Sequence, residues 1–537
     1  MNAAFDPRQI PFSRRGSWLF LETDDDGVLK LRRQYKAYRI ERADQGEEKP
    51  FACAFSFGKA VQMEAAADAL SIRGENGWAQ MCFDGTGMVR IRGEGMKVRL
   101  HAPMEQHSQA QGSFRLVPLS GEWNITPEWT ESGETAFELC ICYGDAMPSG
   151  RSFEECRAEA LSDFERWQGM YPALLAQHEG IRALATYSIW ICWIEPTGLM
   201  KGPLMLYRKN DSAFCWQSAY HAMAVRNDAE MAVELLHSIF AWQDEYGQLP
   251  DLADDRNVEF LSTKPPMQGF AFLFMLKTMG DRITRAHCEK LYPAFERWCQ
   301  WWMRMRDSDH DGMAQYNQGC ECAMDTSAMF EKGTPVECPD LAAYLILLCE
   351  ALGEMAARME RPDQQNMWKK RADTMLRTLV DEFWNGRRFV ARLSGSHEIV
   401  EVEESDIYTP IILGRRLPEE IIRQMTQDLR RDYLTPIGIR HAPAHQHVPL
   451  SGIVGSFWQV KLVIGLYEAG EEELAMEIAR RFTDVSVKRL PALGYPVGES
   501  ADGPAHASAV TALPCGIFFI LAGLLKDWST TTQHPNC

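Results

Sequence analysis

The sequence predicts a multidomain β-plus-α protein, in which an N-terminal antiparallel β-sandwich precedes an (α/α)6 toroid. Three observations lead to this fold class. The 537 residues are enough for two to four domains of about 150 residues each. The hydrophobic pattern has the period of strands in the first part of the chain and that of helices afterwards. The helical part then divides into about twelve segments, which is the number that six helical hairpins require.

The first 145 residues are predicted to form the sandwich. Turn signals rich in Gly and Asp, such as 24–27 and 74–77, separate short runs of mixed apolar and polar residues. Many short strands between such turns are typical of a sandwich. The runs are Ser17–Glu22, Val28–Leu31, Phe51–Phe57, Met88–Ile91, Lys97–Leu100, Phe114–Pro118 and Phe137–Cys142.

Residues 146–175 are predicted to be a helical linker, 176–530 the (α/α)6 catalytic domain and 531–537 a flexible tail. Proline and acidic residues mark several helix starts, as at Pro339-Asp340. An α-solenoid is the alternative architecture, but no sequence period repeats. The expected helices lie near 176–194, 212–226, 228–246, 266–280, 284–306, 339–359, 362–384, 406–416, 418–432, 453–469, 471–488 and 507–527.

Composition and charge limit the classes of partner. The chain carries a net charge of −18, which argues against nucleic acid or an anionic membrane as the main partner. No run reaches the roughly 20 apolar residues of a membrane span, and no apolar leader precedes Phe20. The 15 cysteines show no paired zinc spacing, so we expect reduced thiols and a cytoplasmic protein. The expected partner is a small carbohydrate, and a homo-oligomer is compatible with these features.

The most informative segment is the long loop from Arg306 to Phe330, which joins a tryptophan-rich helix to the next one. A loop of this length with acidic and small residues is typical of a functional site. Its first part, Asp307-x-Asp309-x-Asp311-Gly312, has the opening pattern of an EF-hand. The twelfth position would be Gln318 rather than Glu, so a plain Asp-Gly turn is the preferred interpretation, and no metal or cofactor is expected.

Together with Tyr316-Asn-x-Gly-x-Glu321 and Asp325-x-Ser327, this pattern resembles the general-acid loop of glycoside hydrolase family 63. That group includes α-glucosidases and bacterial mannosylglycerate and glucosylglycerate hydrolases, and it has relatives among the family 37 trehalases. The resemblance implies an (α/α)6 toroid behind a β-domain. It also implies that Asp325 is the catalytic acid and that Glu321 binds substrate or orients the loop.

The resemblance continues in the same order along the helical half of the chain. Phe214-x-Trp216-Gln217 resembles a family helix start in which Asp, here replaced by Gln217, helps to bind the −1 sugar. The resemblance implies a set of substrate-binding residues, to which we add Tyr207 from the preceding polar turn. The expected set is Tyr207, Trp216, Gln217, Gln243, Lys264, Gln268, Tyr316, Glu321 and Trp458.

A second carboxylate is expected in the loop before the last helix. Glu499 falls near the place of the family's general base, although its neighbours differ. The alternatives are that Asp502 is the base or that this loop holds no functional base. An inverting glycosidase needs one protonated carboxyl for the leaving oxygen and one ionised carboxylate for the attacking water. The resemblance therefore implies an inverting α-glycosidase with Asp325 as acid and Glu499 as base.

Simpler structural interpretations of these residues stay open at this stage. Asp325 could serve only as a helix N-cap, and Trp216 could be core packing. The residues from Tyr207 to Asp211 could form a solvated turn. The cluster His441, His445 and His447 is expected to be a polar rim rather than a metal site.

Two other functions remain as alternatives to the glycosidase. One is a different (α/α)6 sugar enzyme, such as an epimerase or a rhamnosidase-like protein. The other is a degenerate carbohydrate-binding protein, which Gln217 in place of Asp would favour.

Overall fold

A computed structural model of the protein describes most of the chain. The described residues are 4–23, 27–33, 53–57, 61–101, 114–126, 129–207, 209, 212–322, 327–443, 445, 452–493, 499–500 and 512–533. Side chains are described for these residues except at 491–493, 499–500 and 531–533.

The N-terminal part contains two antiparallel six-stranded sheets, which confirms the predicted β-region. The strand orders are β1-β2-β3-β8-β11-β10 and β4-β5-β6-β7-β12-β9. Alternating buried side chains of both sheets, such as Leu70 and Ile72 in one and Leu29 and Leu31 in the other, enter a shared core. The strands are β1 Leu19–Thr23, β2 Leu29–Arg33, β3 Cys53–Ser56, β4 Gln62–Ala65, β5 Leu70–Arg73, β6 Trp78–Phe83, β7 Met88–Glu94, β8 Arg99–His101, β9 Phe114–Ser120, β10 Trp123–Ile125, β11 Trp129–Ser132 and β12 Phe137–Tyr143.

The helical part follows, with short strands in the loops between its helices. The helices are α1 Phe153–Gly169, α2 Ala176–Glu179, α3 Arg182–Trp190, α4 Gln217–Ala224, α5 Ala229–Ser238, α6 Gln268–Met279, α7 Arg285–Met305, α8 Pro339–Arg358, α9 Pro362–Phe383, α10 Glu419–Asp428, α11 Ser456–Ala469, α12 Glu472–Leu493 and α13 Ala512–Gln533. The short strands are β13 Trp193–Ile194, β14 Leu204–Met205, β15 Ala213–Phe214, β16 Leu252–Ala253, β17 Val258–Glu259, β18 Gln315–Tyr316, β19 Val336–Glu337, β20 Ala391–Leu393, β21 Ile399–Val400, β22 Leu434–Thr435, β23 Gly438–Ile439, β24 Ile453–Val454 and β25 Glu499–Ser500.

Six helical segments close into an inner ring, which is the defining feature of an (α/α)6 toroid. In order of contact they are α4, α6, α8, the 3-10 segment Ser405–Arg416, α11 and α13, and α13 contacts α4 again. The remaining long helices pack outside this ring, as α9 does on α8 and α12 on α11. The inner helices are almost wholly buried because they are apolar on every side, whereas the outer helices have one buried stripe.

Several predicted helices differ from the structure. The helix expected at 176–194 is divided into α2 and α3, and the one expected at 212–226 begins only at Gln217, after strand β15. The segment expected at 406–416 is a 3-10 segment in which Gly414 has φ of +58°, so regular α-helical geometry is broken there. The helix expected at 228–246 ends as an α-helix at Ser238 and continues as a 3-10 turn, Ile239–Trp242.

Helix α13 is more apolar than the sequence interpretation allowed. Its segment Ala512–Thr530 is long and apolar enough to cross a membrane by length and composition alone. However, 83% of its most apolar window is buried against other parts of the protein, as expected for a member of the inner ring. A core helix passes the same test, so the segment is weak evidence for a membrane span.

The close approach of α6 to α8 gives a first testable prediction. A methyl group on Gly269 would overlap the backbone of Leu348, so Gly269→Ala should lower the free energy of unfolding by about 1–3 kcal/mol or more. Denaturant unfolding followed by circular dichroism measures this change. Gly353→Ala in α8 is the matched control, since its nearest neighbour would be 3.7 Å away and alanine favours helix. Equal stability of the two variants would contradict the tight contact.

Candidate active site

The inner-ring helices begin close to one another, and the candidate site lies at these N-termini. Gln268 at the start of α6 donates to the Cys215 carbonyl just before α4, at 2.9 Å. The backbone N–H of Ala512 at the start of α13 donates to the Tyr207 carbonyl, at 2.8 Å. Helix N-termini carry unpaired N–H groups and partial positive charge, so this end of the ring favours electronegative ligand atoms.

A narrow cavity lies among these helix starts. Its lining residues are Trp216, Lys264, Pro265, Met267, Tyr344 and Phe457. The Trp216 ring meets the Phe457 ring edge-on, with centroids 5.5 Å apart. Aromatic rings next to a single cation are typical of a sugar site, because sugar rings stack on aromatic faces and their hydroxyls bind polar groups.

A network of buried charges lies beside the cavity. Lys461 of α11 forms an ion pair with Asp406 at 2.7 Å, and both side chains are at most 1% exposed. The Tyr316 hydroxyl donates to Oδ2 of Asp340 at the start of α8, at 2.9 Å. Burial, followed by the nearby negative charge of Asp406, raises the pKa of Asp340 to about 7. The ring thus holds a protonatable carboxyl and a fixed ion pair within its core.

The loop that carries Asp325 is held at both ends. Residues 323–326 are outside the described residues, so Asp325 itself has no described position. Just before them, Lys264 Nζ donates to the Cys322 carbonyl at 3.0 Å. Just after them, Glu404 accepts hydrogen bonds from the Ser327 hydroxyl and from the Ala328 N–H, the latter at 2.8 Å. Both anchors are buried, and Lys264 also lines the cavity.

Glu321 stabilises the same loop rather than pointing into open space. Its fully buried carboxylate pairs with Arg306 and accepts the Asn317 N–H at 2.6 Å. Burial raises the pKa of Glu321, and the Arg306 charge opposes that shift. Of the two roles that the resemblance allowed for Glu321, these contacts fit the orientation of the loop.

The expected base is placed by its backbone alone. Strand β25 pairs with β24, and Glu499 lies opposite Val454. Because α11 begins two residues after Val454, the Glu499 backbone lies near the N-terminus of α11, which carries Phe457 of the cavity wall. The alternative base Asp502 lies outside the described residues.

Other expected binding residues have mixed environments. Gln217 and Gln268 are buried at helix starts, and the Oε1 atom of each has no hydrogen-bond partner among the described residues. Half-buried Tyr207 meets the Phe214 ring edge-on. Gln243 instead donates to the Gly247 and Ala294 carbonyls and accepts from Arg297, so its polar atoms hold a turn against α7.

Trp458 is buried and packs on a histidine of the predicted cluster. The ring of His441 stacks on Trp458 with centroids 4.8 Å apart, and its Nε2 lies 3.9 Å from Glu404. Burial lowers the pKa of His441, so it is neutral near pH 7. His441 is therefore part of the packed wall, whereas His445 is exposed and bonded to Glu403, and His447 is outside the described chain.

Sequence reasoning missed four charged groups at the site, namely Asp340, Glu404, Asp406 and Lys461. Pro339-Asp340 was noticed only as a helix start. The other three bind partners that lie 55 to 77 residues away in the sequence, so no local pattern reveals them.

Comparison with known proteins finds a family match within the helical part of the chain. Residues 210–448 match the family model of the mannosylglycerate hydrolase MGH1-like glycoside hydrolase domain. This part of the chain is therefore similar to a glycoside hydrolase domain of the mannosylglycerate hydrolase kind. No curated protein matches the chain significantly.

Several solved structures share the fold of this protein at low sequence identity. One is the GH63 mannosylglycerate hydrolase from Thermus thermophilus in complex with Tris and D-glycerate. It matches with a TM-score of 0.53 and 14% identity over 63% of this chain and 99% of that chain. Another is the neutral trehalase from Saccharomyces cerevisiae, with a TM-score of 0.51 and 12% identity over 61% of this chain and 76% of that chain.

The raised pKa of Asp340 gives a prediction about stability. The folded protein keeps this proton up to about pH 7, whereas the unfolded chain releases it near 3.8. The folded state therefore binds more protons between these values, and this group makes the free energy of unfolding fall as the pH rises from about 4 to 7. Asp340→Asn should flatten that fall, because asparagine does not titrate in this range. The side-chain oxygen of Asn can still accept the hydrogen bond from Tyr316, so the local contact is kept.

Urea unfolding of the wild type and of Asp340→Asn at several pH values within this window measures the effect. Parallel pH profiles for the two proteins would show that Asp340 titrates normally. Asp363→Asn on α9 is a suitable control, because that carboxylate is exposed.

Proposed function

We propose that this GH63-like protein is an inverting α-glycosidase acting on a small α-glucoside or α-mannoside. In this proposal Asp325 protonates the glycosidic oxygen, and Glu499 removes a proton from the attacking water. The observation that supports the proposal is that the loop of Asp325 and the strand of Glu499 are both tied to residues near one cavity.

The two segments reach the cavity through different lining residues. The acid loop is tied to Lys264 through the Cys322 carbonyl, three residues before Asp325. The strand of Glu499 is tied to Val454, three residues before Phe457. A substrate next to Trp216 would therefore have the loop of Asp325 on the Lys264 side and the strand of Glu499 on the Phe457 side. Inversion needs such a division, since acid and base act on opposite faces of the sugar about 6.5–9.5 Å apart.

The surroundings suit the two protonation states that the mechanism needs. An acid placed against the apolar and aromatic wall of the cavity would be disfavoured in its ionised form. The start of α11 carries the positive end of a helix dipole, which favours an ionised carboxylate nearby. This division of roles between two carboxyl groups is the general requirement of glycoside hydrolysis.

A small glycoside is the class of substrate that the similar proteins favour. The matched family model is described for mannosylglycerate hydrolases, and one structural neighbour is a trehalase. We therefore propose mannosylglycerate, glucosylglycerate or a short α-linked disaccharide as substrate. The cysteines in the described part of the chain are thiols rather than halves of disulfides, which supports a reducing, cytoplasmic location.

The experiment that tests the function follows anomeric protons by NMR. Purified protein is incubated with α-linked glucose and mannose disaccharides, trehalose and the two glycerate glycosides. First appearance of the β-anomer identifies an inverting α-glycosidase and names its substrate. First appearance of the α-anomer contradicts inversion. Interconversion of sugars without hydrolysis would indicate an epimerase, and bound but unchanged sugar would indicate a binding protein.

Variants of the two carboxylates test the roles within the site. Asp325→Asn should lower kcat on natural substrates by at least about 100-fold but less on aryl glycosides with good leaving groups, which need little protonation. Glu499→Gln should lose activity on both classes of substrate. Azide should restore part of the turnover and give a β-glycosyl azide, whose anomeric configuration is opposite to that of the α-linked substrate.

Asp502→Asn is the matched control for Glu499→Gln. Full activity in Glu499→Gln with loss in Asp502→Asn would move the base to Asp502. Wild-type rates of Asp325→Asn on both classes of substrate would exclude Asp325 as the acid. Steady-state kinetics on each substrate class provides these values.

A further inference from the structure

The loop Asp307–Gly312 has an ordered geometry that goes beyond a plain turn. The Asp307 Oδ2 atom accepts the N–H of Gly312 at 3.1 Å, and Gly312 has φ of +90°. The Asp311 Oδ1 atom accepts the Met313 N–H at 2.8 Å. These features belong to the Asp-x-Asp-x-Asp-Gly start of a calcium loop, in which glycine at the sixth position permits the sharp turn.

An acidic residue from another strand joins this loop. Glu337 of β19 has a carboxylate oxygen that lies within 4.8 Å of ligand atoms from Asp309, Asp311 and His397. The loop was expected to lack a calcium site because Gln318 occupies the twelfth position. In three dimensions Glu337 supplies the carboxylate that the local sequence lacks.

Unsatisfied oxygens provide an independent sign of a ligand. The Glu337 side chain is completely buried, and its Oε1 atom has no hydrogen-bond partner among the described residues. The Oδ1 atoms of Asp307 and Asp309 are likewise buried without a described partner. Leaving a buried charged oxygen unpaired is costly, so the oxygens of Asp309 and Glu337 within the cluster, with that of Asp307 at the start of the same loop, call for a cation.

The protein's own cations only partly balance the cluster. Arg392 of β20 contacts Asp311, Glu337 and Glu382. His397 Nε2 lies 3.1 Å from Asp309 Oδ2, which also accepts the Gly395 N–H at 2.7 Å. Three carboxylates thus share the Arg392 guanidinium, while Asp307 and Asp309 add two more negative charges to the same loop.

We propose that Asp307, Asp309, Asp311 and Glu337 bind one calcium ion, which ties the loop after α7 to β19. Calcium is the ion chosen because the free ligand atoms are carboxylate oxygens, which this hard cation prefers. Arg392 stays beside the site as a counter-charge, and His397 donates to Asp309. The proposal is independent of the glycosidase assignment, since its readouts need no substrate.

Calorimetry and thermal unfolding of the full-length protein test this site. After treatment with a chelator and dialysis, the wild type should bind one Ca²⁺ per chain, and its Tm should rise with CaCl2 more than with equal MgCl2. Asp309→Asn and Glu337→Gln should each weaken Ca²⁺ binding by about tenfold or more and reduce the rise in Tm. Asp309 lies in a surface loop, so Asp309→Asn keeps the test valid if Glu337→Gln fails to fold.

Glu382→Gln is the matched control. Glu382 also contacts Arg392 but is half-exposed and outside the proposed ligand set, so this variant should bind Ca²⁺ as the wild type does. Absence of binding and of any Tm change in the wild type at millimolar Ca²⁺ would overturn the proposal and leave an ion-pair network. An equal response to Mg²⁺, or wild-type affinity in Asp309→Asn, would overturn the calcium assignment or its ligands.

Discussion

Closure of the inner helical ring is the constraint on which the rest of the structure depends. The inner helices must begin at the same end, because outer helices alternate with them and return the chain. Six helix starts are thereby brought together, and every loop that joins an outer helix to the next inner one ends there. The cavity, the anchors of the acid loop and the strand of Glu499 all lie at this end. Position in the ring, more than local sequence, makes these residues neighbours.

The ring also explains why charged groups are buried so deeply. An inner helix has no solvent-facing side, so any polar residue near its start must find a partner inside the protein. Lys461 and Asp406 satisfy each other across two neighbouring segments, and Tyr316 satisfies Asp340. Removing Lys461 or Asp406 leaves the other charge uncompensated, whereas the intact ion pair fixes how the two segments meet. The pairs therefore specify the arrangement of the ring near the cavity.

Sequence patterns predicted the elements well where the pattern is local. Apolar runs long enough for inner helices indicated the toroid, and Gly/Asp turns between strands indicated the β-region. Strands β5 and β6 lie outside the predicted runs, although the turn 74–77 between them gives a clear turn signal. Strand β5 is only four residues long, and β6 has a single polar residue, Gln80, among its six, so neither shows a sustained alternation. The ends of the acid loop were found by motif. The sequence does not identify Glu404 as an anchor of this loop, because its partner Ser327 is 77 residues away.

The tight contacts within the ring have a consequence for how a reaction cycle would proceed. Gly269 lies against the backbone of α8, and Gly465 lies against that of Ile411, so neighbouring inner helices leave little room between them. Tyr344, a buried residue of α8, forms part of the cavity wall. Among the described residues, a molecule held there has no passage between α6 and α8 or between α11 and the 3-10 segment, so we expect it to depart by the path along which it entered. In a hydrolysis that creates two products, the outer fragment then has to diffuse away before the inner sugar can escape, and accumulated sugar would compete with fresh substrate.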